Sequence, residues 1–208
     1  MLRKGILWFS LGSACFTIAQ PLFRIPILQQ LQQSTDFILL YTLNPLLIGL
    51  IIAFSAGIFE EGFRFLFKQF LIKPIKCPIS QPIIFGLGHG IAEALFILIP
   101  AFSLASVDQL GLAVLERFLA IILHVNLTII VWNGFQKKQR FFYLILAITV
   151  HGAVNSLIPI LSSSANAVFI IEGALAVVDI LLIGYSYYSR KFYRERKDKN
   201  EEIISEIN

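Results

Sequence analysis

The sequence predicts an all-α membrane protein: a polytopic transmembrane bundle of about six helices with both termini in the cytoplasm. The first observation is composition, since 57% of the residues are hydrophobic, only 14% are charged and the mean hydropathy is +0.77. Soluble domains are nearer to about 45–50% apolar and about 25% charged. The second is that the apolar residues form runs of about 20, enough to cross ~30 Å of hydrocarbon. The third is the placement of positive charge.

Six apolar runs qualify as spans. Arg3 and Lys4 precede the first run as in a signal peptide, but the run continues to Phe23, longer than a signal core, so we expect it to be retained. The second run is longer than a membrane requires, and Asn44-Pro45 within it is a candidate kink. The predicted spans are residues 5–24, 37–67, 82–101, 109–134, 141–160 and 167–188.

Loop charge sets the predicted orientation. With a cytoplasmic N-terminus, all but three of the 17 Lys and Arg residues fall in cytoplasmic segments. The exceptions are Arg24 in an outer loop and Arg64 and Arg117 within spans. This positive-inside bias predicts that both termini are cytoplasmic. We therefore expect a transmembrane domain over residues 1–189 and a charged cytoplasmic tail over 190–208.

The net charge of +4 does not indicate nucleic-acid binding, because the basic residues form short clusters between apolar runs without an aromatic-interleaved basic face. Cys15 lies in an apolar run and Cys77 in a basic loop. We predict neither a disulfide nor a cysteine metal site from this placement.

Ionisable side chains inside the predicted spans are the main functional signal, because they are costly in hydrocarbon. All three histidines lie within spans. The full set is Glu60, Glu61, Arg64, His89, Glu93, Glu116, Arg117, His124, His151, Glu172 and Asp179.

The second span carries Glu60, Glu61 and Arg64 on one helix face, where the arginine can neutralise one carboxylate and fix the other. An ion pair that anchors a helix end is the simpler interpretation. In the third span, His89 and Glu93 are one turn apart, and glycines occupy alternate positions around His89. That glycine spacing is denser than helix crossing alone would need, so we expect it to serve function.

The fourth span carries Glu116 and Arg117, which we expect to form interhelical ion pairs, and His124, whose role the sequence leaves open. In the fifth span, His151 and Asn155 present two donors to one point and are a candidate oxyanion-binding pair. Helix rise places the histidines and Glu60 about 10–15 Å from the cytoplasmic ends of their spans. Side chains at one depth predict a single buried site.

These motifs resemble those of the CAAX prenyl protease and Abi superfamily of intramembrane proteases, which carries a double glutamate with arginine, then FxxxH, then HxxxN. The matching residues are Glu60-Glu61 with Arg64, Phe85 to His89, and His151 to Asn155. The combination of EExxR with GxGHGxxE is most similar to the YhfC family, a branch regarded as glutamic-type intramembrane proteases. The resemblance covers roughly residues 37–160.

The resemblance implies peptide-bond hydrolysis by a water that Glu60 activates as general base, assisted by His89. It also implies that His151 and Asn155 bind the oxyanion, that Arg64 orients Glu61, and that Glu93 supports His89. No resident cofactor is then needed. The expected substrate is a peptide or protein, either membrane-embedded or lipidated, and the expected location is a bacterial plasma membrane.

Other functions stay open. Three histidines and several carboxylates could hold zinc in a metalloprotease, although no HExxH is present. Buried Glu, His and Arg chains also occur in proton-coupled transporters, and Glu172 and Asp179 would suit such a relay. A catalytically silent binding or immunity protein could use the same scaffold.

Overall fold

The computed structural model confirms the all-helical prediction over the residues that it describes, 2–73, 75–103 and 106–193. The α-helices are α1 Leu2–Thr17, α2 Ile25–Gln32, α3 Thr35–Leu43, α4 Pro45–Leu66, α5 Ser80–Ala101, α6 Val107–Gln136, α7 Arg140–Leu161 and α8 Ala167–Ser189. A π-helical segment, Ile18–Arg24, joins α1 to α2, and another, Phe67–Leu71, extends α4. A 3₁₀ turn, Arg190–Tyr193, follows α8.

Within these ranges, six helical segments are long and apolar enough to cross a membrane, as predicted. Their bounds are Leu2–Gln32, Pro45–Leu71, Ser80–Ala101, Leu110–Gln136, Arg140–Leu161 and Ala167–Tyr193. The predicted second run, 37–67, is two helices, because Asn44 leaves the helical conformation (φ −138°, ψ 62°) before Pro45. A residue that precedes proline is disfavoured in the α region. The predicted run was too long for one span because its first part is the separate helix α3.

Helix α6 lies at the centre of the bundle. α5, α7 and α8 all pack against it, while α1 packs on α5 and α4 packs on α7. The π-helical segment Ile18–Arg24 contacts α4 and closes the ring formed by α1, α5, α6, α7 and α4. Leu127, Val131 and Trp132 on α6 have no exposed surface. Polar side chains that these five helices turn inward are consequently shielded from lipid.

The three glycines around His89 pack α5 against two neighbours. An added Cβ at Gly86 would lie 2.7 Å from the Cα of Val125 on α6, and one at Gly90 would lie 2.9 Å from the Cα of Ile121. Gly88 faces the other side, where a Cβ would overlap the backbone carbonyl of Phe9 on α1. The expectation that packing cannot explain the glycine spacing is therefore wrong, because two helix crossings share it.

The segment between α4 and α5 is anchored by a buried lysine. On the basis of charge, the sequence predicts that Lys68 lies in a cytoplasmic loop. Its side chain is instead buried, and the ammonium donates to Gln81 Oε1 at 2.6 Å and lies 3.6 Å from the Cys77 sulfur. Cys15 and Cys77 are both free thiols, as predicted. Burial raises the pKa of the Cys77 thiol, and the Lys68 ammonium partly opposes that rise.

Replacing Gly88 by Ala should push α1 away from α5 and destabilise the protein by about 1–3 kcal/mol, the usual cost of overpacking. The measurement is the thermal unfolding midpoint of purified protein in detergent. Gly184→Ala on α8 is the matched control, because, apart from its chain neighbours and its own helix backbone, no atom of the described residues lies within 4 Å of its Cβ position. Equal midpoints for the two variants would contradict the close α1–α5 contact.

The orientation and the division into domain and tail stay predictions. Of the predicted tail, 190–208, residues 194–208 lie outside the described residues. Alkaline phosphatase fused after Ser34, between α2 and α3, should be active because that loop is predicted to be external. The same enzyme fused after Tyr193 should be inactive, whereas a green fluorescent protein fused there should fluoresce. The opposite pattern would reverse the predicted topology.

Candidate active site

Helix α4 carries a buried ion pair. Nη1 of Arg64 donates to both carboxylate oxygens of Glu61, each at 2.7 Å, and neither side chain has exposed surface. The spacing of three residues places the two side chains on one helix face, as the sequence suggested. Because both oxygens of Glu61 accept from the same arginine nitrogen, the carboxylate is held against Arg64 and is an ordered acceptor for a further donor.

That further donor comes from α7. His151 Nδ1 lies 2.9 Å from Oε1 of Glu61. The two helices approach closely because Gly57 on α4 faces the backbone of α7, and Gly152 on α7 faces the ring of Phe54. The sequence proposed His151 as one of a pair with Asn155, and both residues line the same internal cavity.

Glu60 and His89 meet across α4 and α5. His89 Nε2 lies 2.8 Å from Oε2 of Glu60, and both side chains are buried. The Phe16 ring and the imidazole pack in a T-shaped arrangement with centroids 5.6 Å apart. The two residues that the resemblance assigned to water activation are therefore in direct contact.

His124 lies at the centre of the cluster, which the sequence did not predict. Its ring centroid is 4.9 Å from that of His89 and 5.4 Å from that of His151. Nη2 of Arg64 lies 3.1 Å from Nδ1 of His124. Because a guanidinium can only donate, Nδ1 must accept, and the proton of a neutral ring is then on Nε2.

Glu93 connects this centre to a second ion pair. Its Oε2 touches Nε2 of His124, and Nη1 of Arg117 donates to its Oε1 at 2.9 Å. Arg117 also pairs with Glu116. Arg117 thus forms the interhelical ion pair that the sequence suggested, whereas Glu93 contacts His124 and not His89, with which the sequence had paired it.

Sequence reasoning missed Gln20. Its Nε2 donates to Oε1 of Glu60 at 2.5 Å, and its Oε1 accepts from Nη1 of Arg24 at 3.0 Å. Gln20 lies in the π-helical segment that includes Pro21. A glutamine next to a proline inside an apolar span was the signal that could have identified it.

A cavity of about 780 Å³ borders the cluster and reaches Pro45 at the start of α4 and Pro159 near the end of α7. This volume is within the range of ligand pockets. Glu172 and Asp179, which the sequence left unexplained, do not line it. Both oxygens of Asp179 are buried without a hydrogen-bond partner among the described residues. Within that part of the chain, no hydrogen-bonded relay therefore connects Asp179 to the cluster.

Four residues of the cluster could hold a metal ion. Glu60, His89, Glu93 and His124 each offer a ligand atom, and these atoms lie within 4.8 Å of one another. Imidazole and carboxylate are ligands that zinc accepts.

Two contacts bear on whether a metal fits. Oε2 of Glu93 is buried in contact with Nε2 of His124 and makes no hydrogen bond among the described residues. A buried carboxylate oxygen without a donor favours a metal. The bond from Arg64 to Nδ1 of His124 opposes one, because His124 must lose its Nε2 proton before that nitrogen can bind metal. On balance the donor set fits, provided that Arg64 yields its bond to His124.

A six-span helical bundle with buried glutamates and histidines beside a cavity defines a membrane-embedded protein with an ionisable centre, and such a centre marks a functional site. The chain belongs to the YhfC intramembrane metalloprotease family, whose model matches residues 4–109 and 98–178. Membership places the chain among intramembrane proteases. No curated protein matches the chain significantly.

Replacing Arg64 by Met should leave Glu61 as a buried carboxylate without its cation. We expect a loss of about 3–5 kcal/mol in the free energy of unfolding, the usual cost of breaking a buried pair. Differential scanning fluorimetry in detergent measures the change, and Arg3→Met on the exposed first turn is the control.

The double variant Arg64→Met with Glu61→Met should recover much of this stability, because no unpaired charge is left. A double variant as unstable as the single one would show that Arg64 stabilises the fold through His124 and not through Glu61.

Proposed function

We propose that the protein is a zinc-dependent intramembrane endopeptidase whose centre consists of Glu60, His89, Glu93 and His124. The observation that carries the proposal is that three different spans bring four ligand atoms within 4.8 Å of one another beside a cavity. Charged groups gathered this densely inside a membrane are costly unless they serve a site. The description of the family as metalloproteases agrees with this assignment.

In the proposed site, ligands drawn from these four residues would hold the ion and leave one position open to water. A bound zinc ion would lower the pKa of water and polarise the scissile carbonyl. Arg117 holds Glu93 through Oε1, which leaves Oε2 directed at the centre. The surrounding protein keeps each ligand in place, as is usual for the hydrogen-bond partners of metal ligands.

His151 and Asn155 are the proposed oxyanion donors. Glu61 fixes His151 through Nδ1, so that the other ring nitrogen is available to a peptide in the cavity. Asn155 lies one turn further along α7 and lines the same cavity. A preorganised donor of this kind is worth about 10²–10³-fold in kcat.

The proposed substrate is a peptide segment that enters from the bilayer. The cavity wall is largely apolar, and Glu60, Glu93, His124 and His151 of the cluster line part of it. Apolar side chains can therefore occupy the cavity while the scissile peptide meets the polar groups. We place the reaction in a bacterial plasma membrane, the location that the sequence resemblance indicated.

A second mechanism is favoured by one observation. The bond from Arg64 to Nδ1 of His124 is suited to a histidine that is not a metal ligand. In that form Glu60 would act as the general base on a water that His89 also holds, and no ion would be needed. The same residues surround the water in both mechanisms, so metal dependence is the measurement that separates them.

The test uses purified protein in detergent, a peptide library, and metal analysis by inductively coupled plasma mass spectrometry. Wild type should contain about one zinc per chain, and dialysis against a chelator should abolish cleavage until zinc is restored. Glu60→Gln and His124→Gln should each lower kcat/KM by at least about 10²-fold. Glu172→Gln on α8 is the matched control and should stay within twofold of wild type.

Full activity in protein shown to be free of zinc would reject the metal mechanism and favour the glutamate-activated one. Equal cleavage by wild type and Glu60→Gln would reject both mechanisms and indicate a contaminating protease.

A further inference from the structure

The first membrane-spanning segment, Leu2–Gln32, contributes two polar residues, Gln20 and Arg24, that have no role in the proposed mechanism. Gln20 and Arg24 both lie in the π-helical segment Ile18–Arg24, one residue before and three residues after Pro21. Proline removes a backbone donor from the helix, and π-helical turns occur often at functional sites. Both side chains are directed at α4, because all their hydrogen-bond partners outside the segment lie there.

Gln20 binds the carboxylate oxygen of Glu60 that His89 does not contact. The side chain of Gln20 is only 8% exposed, and its amide nitrogen donates to Oε1 of Glu60 at 2.5 Å. The other oxygen, Oε2, faces His89 Nε2 at 2.8 Å. With Oε1 occupied by the amide, Glu60 presents Oε2 alone to the centre of the cluster.

Arg24 determines which end of the amide faces Glu60. Its guanidinium donates through Nε to Ser55 Oγ at 2.9 Å, through Nη2 to the carbonyl of Ile52 at 2.8 Å, and through Nη1 to Gln20 at 3.0 Å. Because a guanidinium has no acceptor, the Gln20 atom that it contacts must be the oxygen. The amino group of Gln20 is consequently the end that reaches Glu60.

We propose that Gln20 is a positioning residue for Glu60 and that Arg24 acts through Gln20 by fixing its amide. This inference rests on the proposed function, in which Glu60 belongs to the reactive centre. Gln20 holds the carboxylate with one oxygen turned away, so that Glu60 binds zinc or water through Oε2. The first membrane-spanning segment is thereby part of the active site as well as part of the helix packing.

The experiment compares variants by zinc affinity, from competition with a chromophoric chelator, and by kcat and KM on one cleaved peptide. Gln20→Met keeps the side-chain volume but removes the donor, and Gln20→Glu keeps the contact with Arg24 but removes the amino group. Each should weaken zinc binding by about 10–100-fold, the usual effect of altering a group that orients a metal ligand. Each should lower kcat while KM stays within twofold.

Arg24→Met should have a smaller effect, and combined with Gln20→Met it should cost no more than Gln20→Met alone, because both act on one carboxylate. Thr17→Val is the control, since within the described part of the chain its exposed hydroxyl bonds only to the Ser13 carbonyl of its own helix. Unchanged thermal midpoints exclude a loss of fold as the cause.

Wild-type zinc affinity and kcat in both Gln20 variants would overturn the proposal, and so would an effect confined to KM, which would make Gln20 a substrate contact. If wild type cleaves peptide without zinc, the metal assignment fails, but the kcat of the Gln20 variants still decides whether Gln20 positions Glu60.

Discussion

The ion pair between Glu61 and Arg64 is the interaction on which the rest of the site depends. Two ions without exposed surface lie in one membrane-spanning helix, where desolvation costs several kcal/mol for each. The contact of one arginine nitrogen with both carboxylate oxygens offsets part of that cost and holds both groups in place. Glu61 then holds His151, and Arg64 holds His124. One ion pair therefore orients two of the three histidines.

Close helix packing makes these contacts possible. Side chains of glutamate and histidine reach one another across a helix interface only where the backbones are near. Gly88 brings α1 to α5, Gly86 brings α5 to α6, and Gly57 brings α4 to α7. Without a hydrophobic driving force between helices in lipid, such small residues and the buried polar contacts are what hold a membrane bundle together.

The placement of one proton separates the two mechanisms that the site can support. Arg64 donates to Nδ1 of His124, which places the proton of the neutral ring on the nitrogen that faces Glu93. In that state His124 is a hydrogen-bond donor and not a ligand. Binding of zinc at this nitrogen would release the proton and require Arg64 to give up its bond. The ion pair between Glu61 and Arg64 thus also affects how easily the cluster binds a metal ion.

The sequence by itself determined the six spans, the shared depth of the ionisable residues and the position of Glu60, Glu61 and Arg64 on one helix face, because run length, helix rise and spacing along one helix are local properties. Tertiary structure alone decided that His124 is central, that Glu93 contacts it, and that Gln20 reaches Glu60. These contacts depend on how far each helix is rotated about its axis. That rotation is set by packing against neighbours distant in the chain, which spacing along one helix does not encode.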